Sequence, residues 1–94
     1  MNGSKRYEGL SIKCAAIMAE DGEVHSVDRP GRHHDVITKM ILDGYSRPIR
    51  GEQGFLLNTD QFVRRVPAKN IAREAGQLLP RAKTLRELYS EDVW

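Results

Sequence analysis

Ninety-four residues with 15 basic and 13 acidic side chains, a net charge of +2 at pH 7, make one domain near the lower end of the usual size range. A single cysteine excludes an intrachain disulfide. The mild charge argues against duplex nucleic acid as a partner, and no apolar stretch approaches the roughly 20 residues of a membrane span.

Met1 to Gly9 is polar and unlike a secretory leader, so the chain is expected to be soluble and cytoplasmic. Residues 1–9 read as a flexible lead-in and 10–94 as the globular part. Leu10 to Ala19 is rich in apolar residues, with Ile12, Ala16 and Met18 on one parity, and predicts a strand. Cys14 lies within it, where a thiol behaves as a small buried hydrophobe rather than a nucleophile. Asp21-Gly22 is a hairpin signal, Glu23 to Val27 is the returning strand, and Pro30-Gly31 breaks it. A helix follows from about His33 to Asp43, on an apolar stripe of Val36, Ile37, Met40 and Ile41, with Gly44 as its C′ residue.

Tyr45 to Gln53, with Pro48 and Gly51, reads as a loop. Phe55 to Leu57, the turn Asn58-Thr59-Asp60, and Gln61 to Val63 predict a second hairpin. The second helix carries Pro67 in its first turn, where a missing N–H costs nothing. Its buried stripe is read as Ile71, Ala72 and Ala75, and Gly76 ends it. Pro80 and Arg81 lead through a short helical or irregular segment to Leu88–Trp94, which holds two aromatics and two carboxylates. Trp94 reads as docked in the core or at a subunit contact. The order is ββαββα plus a C-terminal extension: an α+β fold, an antiparallel sheet from two β-hairpins packed with two helices.

No catalytic constellation emerges. Adjacent His33 and His34 point about 100° apart on a helix and do not chelate one ion as an i, i+4 pair does. Too few further ligands remain for zinc. No Gly-x-Ser-x-Gly elbow and no phosphate loop occur. The expectation is therefore a protein that is not an enzyme and carries no metal and no cofactor.

The features that remain suit binding. Arginine outnumbers lysine ten to five, and its planar fork matches phosphate. Arg32 and His33 open the first helix, where free N–H groups and the dipole attract anions; a merely solvated cap is the alternative. Phe55 and Phe62 flank the second hairpin turn, one for the core and one able to stack on a base. Arg64 and Arg65 follow at once, as phosphate ligands or as solvated surface. Gln53 and Asp92 are candidates for sugar or base edges. Gly51-Glu52-Gln53-Gly54 is either a turn leading into the strand or a place where backbone approaches a ligand.

As a set, several blocks resemble a group of small bacteriophage proteins. They are Ile12–Gly22, Arg32-His33-His34-Asp35-Val36-Ile37, Gly51-Glu52-Gln53-Gly54-Phe55-Leu56, Phe62-Val63-x-Arg65, Glu74-Ala75-Gly76-Gln77 and Leu88–Trp94. Within that group the chain resembles the phage anti-Thoeris signal-sequestering (sponge) proteins of the first type, which bind cyclic ADP-ribose isomers made by TIR-domain defence enzymes. The resemblance implies capture without cleavage, in the host cytoplasm. The ligand would be a cyclic ADP-ribose isomer or a cyclic oligonucleotide, held in pockets shared between subunits of a homo-oligomer, a dimer or higher. One departure stands out: Arg64-Arg65-Val66-Pro67 replaces an acidic N-cap and a first-turn Glu, which alters the charge of the pocket. The alternative is a small phage inhibitor acting by direct protein–protein contact, its arginines forming the interface and Trp94 a hot spot.

Overall fold

In a computed structural model of the chain, residues 6–82 and 86–94 are described. β1 (Ile12–Ala19) and β2 (Val24–Ser26) form the first hairpin, with Gly22 at φ 87° supplying the left-handed turn that a side chain resists. α1 (His33–Leu42) follows and ends against Gly44 at φ 106°. β3 (Gly51–Leu57) and β4 (Phe62–Arg64) form the second hairpin, and α2 (Arg65–Glu74) leaves β4 without a loop. A 3-10 turn, Ser90–Asp92, lies near the C-terminus. The sheet order is β2-β1-β3-β4, antiparallel throughout, so pairing of β1 with β3 joins the two hairpins.

The expected α+β architecture is present, with two corrections at the strands. First, Ile12 pairs with Leu57 but Cys14 with Leu56, leaving Lys13 as a bulge. A bulge shifts every following side chain to the opposite face. Ile12 therefore joins Ala15, Ile17 and Ala19 beneath the helices, while Cys14, Ala16 and Met18 point the other way. Second, Gly51 to Gln53 belongs to β3 rather than to the preceding loop. Gly51 adopts φ 152°, and a Cβ there would meet the Met18 carbonyl oxygen at 2.3 Å. Pairing with β1, not local propensity, draws these residues into the strand.

Both helices cover one face of the sheet. Under α2 lie Ile12, Phe55, Leu57, Ile71, Ala72 and Leu88, all buried. Under α1 lie Ala15, Ile17, Ala19, Val36 and Met40. Ala68, rather than Ala75, completes the α2 stripe, because the helix has ended at Ala75 and that residue is exposed. Trp94 packs against both clusters, and its indole N–H donates to the Gly31 carbonyl at 2.9 Å. The tryptophan is thus docked within the monomer.

Two side chains act in place of strands at the start of β1. The Gln77 amide accepts from the Ile12 N–H at 2.8 Å and donates to its carbonyl at 3.0 Å. Arg29 donates to the carbonyls of Ile12 and Lys13 and lies 5.2 Å over the Trp94 ring. Of the lead-in expected to be flexible, residues 1–5 lie outside the described residues. Tyr7 is tied down, its N–H donating to the Glu74 carboxylate at 3.1 Å and its ring packing on the α2 cluster.

Candidate functional site

The register of the second hairpin creates an opening. Gly54 pairs with Arg64, after which the chain turns directly into α2. Among the described residues no strand pairs with Gly51, Glu52 or Gln53 on that side. A cleft of about 630 Å³ lies there, lined by Glu52, Gln53, Arg64, Arg65, Pro67 and Glu87 among others. Val66 and Pro67 of the first turn of α2 also border it. That turn carries no acidic residue and, among the described residues, no side chain caps it, so its N–H groups and the positive end of the helix dipole favour an anion.

Arg65 is the central side chain. Its guanidinium lies 5.2 Å from the centroid of the Tyr89 ring, 3.4 Å from the Glu87 carboxylate and 3.5 Å from Gln53 Oε1. Tyr89 remains 45% exposed, leaving ring surface open to a ligand. A smaller cleft of about 230 Å³ continues past Gln53, lined by Arg32, His34, Tyr89 and Glu91. Gln53 borders both, so the two clefts adjoin, one beside the start of α1 and the other beside the start of α2.

The structure gathers some of the residues singled out from sequence and separates others. Arg64, Arg65 and Gln53 meet at the larger cleft. Arg64 is exposed and pairs with Glu52 at 3.3 Å. Arg32 reaches the smaller cleft, but its guanidinium donates to the Trp94 main-chain oxygen at 2.5 Å. His33 also lines the smaller cleft, but its ring is turned largely into the protein. It is 8% exposed, its Nε2–H donates to the Gly54 carbonyl at 2.8 Å, and its ring edge meets Phe55. Burial is the main cause pushing its pKa below the ordinary histidine value, which keeps the ring neutral. His34 is the exposed partner, beside Asp35 at 3.3 Å.

Neither phenylalanine lines these two clefts. Phe55 is fully buried, edge-on to His33 and Trp94. Phe62 pairs with Leu56 rather than Phe55, so it faces away from the helices and lies over Gly54. Asp92 is also structural, 8% exposed, its carboxylate accepting from the Tyr89 N–H at 3.0 Å. That hydrogen bond fixes Tyr89 beside Arg65, so the carboxylate expected to read a ligand instead positions the ring that can stack on one.

Tyr89 is the residue that sequence reasoning passed over. The available signal was its place in the compact Leu88–Trp94 block, where one aromatic had already been assigned to packing. Elsewhere, Tyr45 donates to Asp21 at 2.8 Å and meets His25 Nε2 at 2.9 Å. The bond to Asp21 pushes the phenol up to about 12, so it stays protonated. Burial raises the Cys14 thiol above its usual value, consistent with an inert side chain. Among the described residues no group of three His, Cys, Asp or Glu could hold a metal ion, and no helix is long and apolar enough to cross a membrane.

Comparison with known families gives one match: a family model described as the phage T4 y16D protein covers residues 11–94. No curated protein matches the chain, and no solved structure does.

Proposed function

The chain belongs to the phage T4 y16D protein family, and from that setting we propose that it captures an anionic, nucleotide-derived immune signal in the groove beside Arg65, without breaking a bond in it. The ligand class is a cyclic ADP-ribose isomer or a cyclic oligonucleotide, and the place of action is the cytoplasm of the infected host. The observation that carries the reading is the Arg65–Tyr89 pair at the uncapped start of α2. A ring for the base, a guanidinium fork and helix N–H groups for phosphate, and an amide for sugar or base edges border two adjoining clefts, joined by the Arg65–Tyr89 contact and by Gln53.

Internal ion pairs do not close this groove. Arg64–Glu52 and Arg65–Glu87 are surface pairs, each worth about 0–1 kcal/mol. A charge-assisted hydrogen bond to phosphate contributes about 1.5–3 kcal/mol, so exchanging a carboxylate for a phosphate is favourable. Two such bonds and a stacked base at about 1–3 kcal/mol approach the roughly −8 kcal/mol of a micromolar complex.

The test is capture and release. The protein is incubated with cyclic ADP-ribose isomers and, separately, with cyclic dinucleotides and trinucleotides, then filtered, heat-denatured and the supernatant analysed. Depletion before heating with return of the intact molecule supports capture. Altered product means an enzyme. No depletion of any of them removes the proposal and favours inhibition by direct protein contact.

A further inference from the structure

α1 buries Val36 and Met40 completely and carries a second stripe beside them. His34, Ile37, Thr38 and Ile41 are spaced i, i+3, i+4 and i+7, so they share one helix face. A surface helix normally turns charge outward, yet this stripe holds no carboxylate and no ammonium. Arg47, Pro48 and Ile49, from the segment between α1 and β3, complete the lining of a cleft of about 740 Å³. Ile37 and Ile49 pack on the core under α1, whereas half-buried Ile41 belongs to neither core cluster. Thr38 donates its hydroxyl to the His34 carbonyl at 3.0 Å, which spends its one polar hydrogen. Arg32, Arg64 and Arg65 each have a partner. Exposed Arg47 has none among the described residues.

We propose that this cleft binds a small amphiphilic anion, an apolar ring system or short acyl chain that bears one acidic group. Ile37, Ile41, Pro48 and Ile49 receive the apolar body, and Arg47 receives the acid. Ligand sites of about 300–1,000 Å³ combine an apolar lining with a few polar groups that fix orientation, and this cleft has that composition. Charge complementarity selects the sign of the guest. None of the lining residues is acidic, and a guanidinium is permanently charged, with a fork that matches planar oxyanions. His34, the other titratable group on the lining, lies 3.3 Å from Asp35 and so has a carboxylate beside it already. The cleft shares His34 with the smaller cleft described above but includes neither Arg65 nor Tyr89. The assignment therefore goes beyond nucleotide capture and stands whether or not that reading holds.

Two fluorescent probes test it: anilinonaphthalene sulfonate, and phenylnaphthylamine, which has the same rings without the sulfonate. In titrations the wild type should bind one equivalent of the sulfonate, about 5-fold tighter than the neutral probe, as one partly exposed ion pair allows. Decanoate should displace it. Arg47→Gln should erase the preference and leave the neutral probe's affinity unchanged. Ile41→Glu should weaken both probes. Thr38→Glu, at an exposed position that the core does not use, should weaken the sulfonate with an unchanged circular dichroism spectrum. Arg65→Ala and Tyr89→Ala should alter neither affinity. The proposal is overturned if neither probe binds, or if both bind equally and Arg47→Gln changes nothing. Binding that survives both Ile41→Glu and Thr38→Glu also overturns it, as does probe release on raising the protein concentration, which would put a second copy in the cleft.

Discussion

Substituting one methyl for a hydrogen at Gly54 should destabilise the fold by several kcal/mol. A Cβ there would lie 2.1 Å from the Val63 carbonyl oxygen and 2.6 and 2.9 Å from two Phe62 ring atoms. The ring could swing aside, but the carbonyl is backbone in the adjacent strand, so β3 and β4 must part by about an ångström. Overpacking of this kind costs about 1–3 kcal/mol, and each weakened ladder hydrogen bond adds about 1 kcal/mol. Restricting the unfolded chain returns at most about 1 kcal/mol. The net for Gly54→Ala is a loss of about 2–4 kcal/mol, large against the roughly 5–14 kcal/mol that 94 residues provide. Tm should fall by about 10–25 °C, and urea unfolding followed by far-UV circular dichroism should give the same energy. Adding Phe62→Ala should not restore stability, because the carbonyl contact persists. A Gly54→Ala protein within 0.5 kcal/mol of wild type, or one rescued by Phe62→Ala, would refute the strand packing described for this hairpin.

Three other outcomes follow from the same geometry. Trp94→Ala should cost about 3–5 kcal/mol in urea unfolding, and Trp94→Phe about 1–2 kcal/mol, mainly the lost indole bond to Gly31. If the groove captures nucleotides, Arg65→Ala and Tyr89→Ala should each weaken binding at least 10-fold by calorimetry while Tm moves little. Their double variant should lose less than the two effects combined, since the side chains touch. His33 has a folded pKa below its unfolded one, so between these values the unfolded state binds more protons. Stability should therefore fall as pH drops below about 6.5, and His33→Gln should flatten the pH dependence of the urea midpoint between pH 7 and 5.

Local chemistry made most of the elements legible. Asp21-Gly22 marked the first hairpin, the 3.6-residue stripe marked α1, and Gly44 and Gly76 marked helix ends. Long-range pairing decided what local reading missed. The bulge at Lys13 reverses the parity of β1, and only the register with β3 reveals it. Gly51 to Gln53 looks like a loop because glycine is a poor strand former, yet β1 holds it in the sheet. For the groove, Arg64 and Arg65 are neighbours in sequence, and folding of the second hairpin brings Gln53 from β3 beside them. Phe55 and Phe62 suggested a platform by proximity, but one residue of register places them on opposite faces. Tyr89 could not be assigned from sequence because its partner, Arg65, lies 24 positions away, and the Asp92 cap that orients it forms only once the chain has folded back.

The protein has one tryptophan, and it sits where the two core clusters adjoin. Its emission is therefore a natural optical probe of both hairpins at once: any opening of either half that admits water to the indole should shift the spectrum to the red. Superimposable fluorescence and circular dichroism transitions would mark the molecule as a single cooperative folding unit.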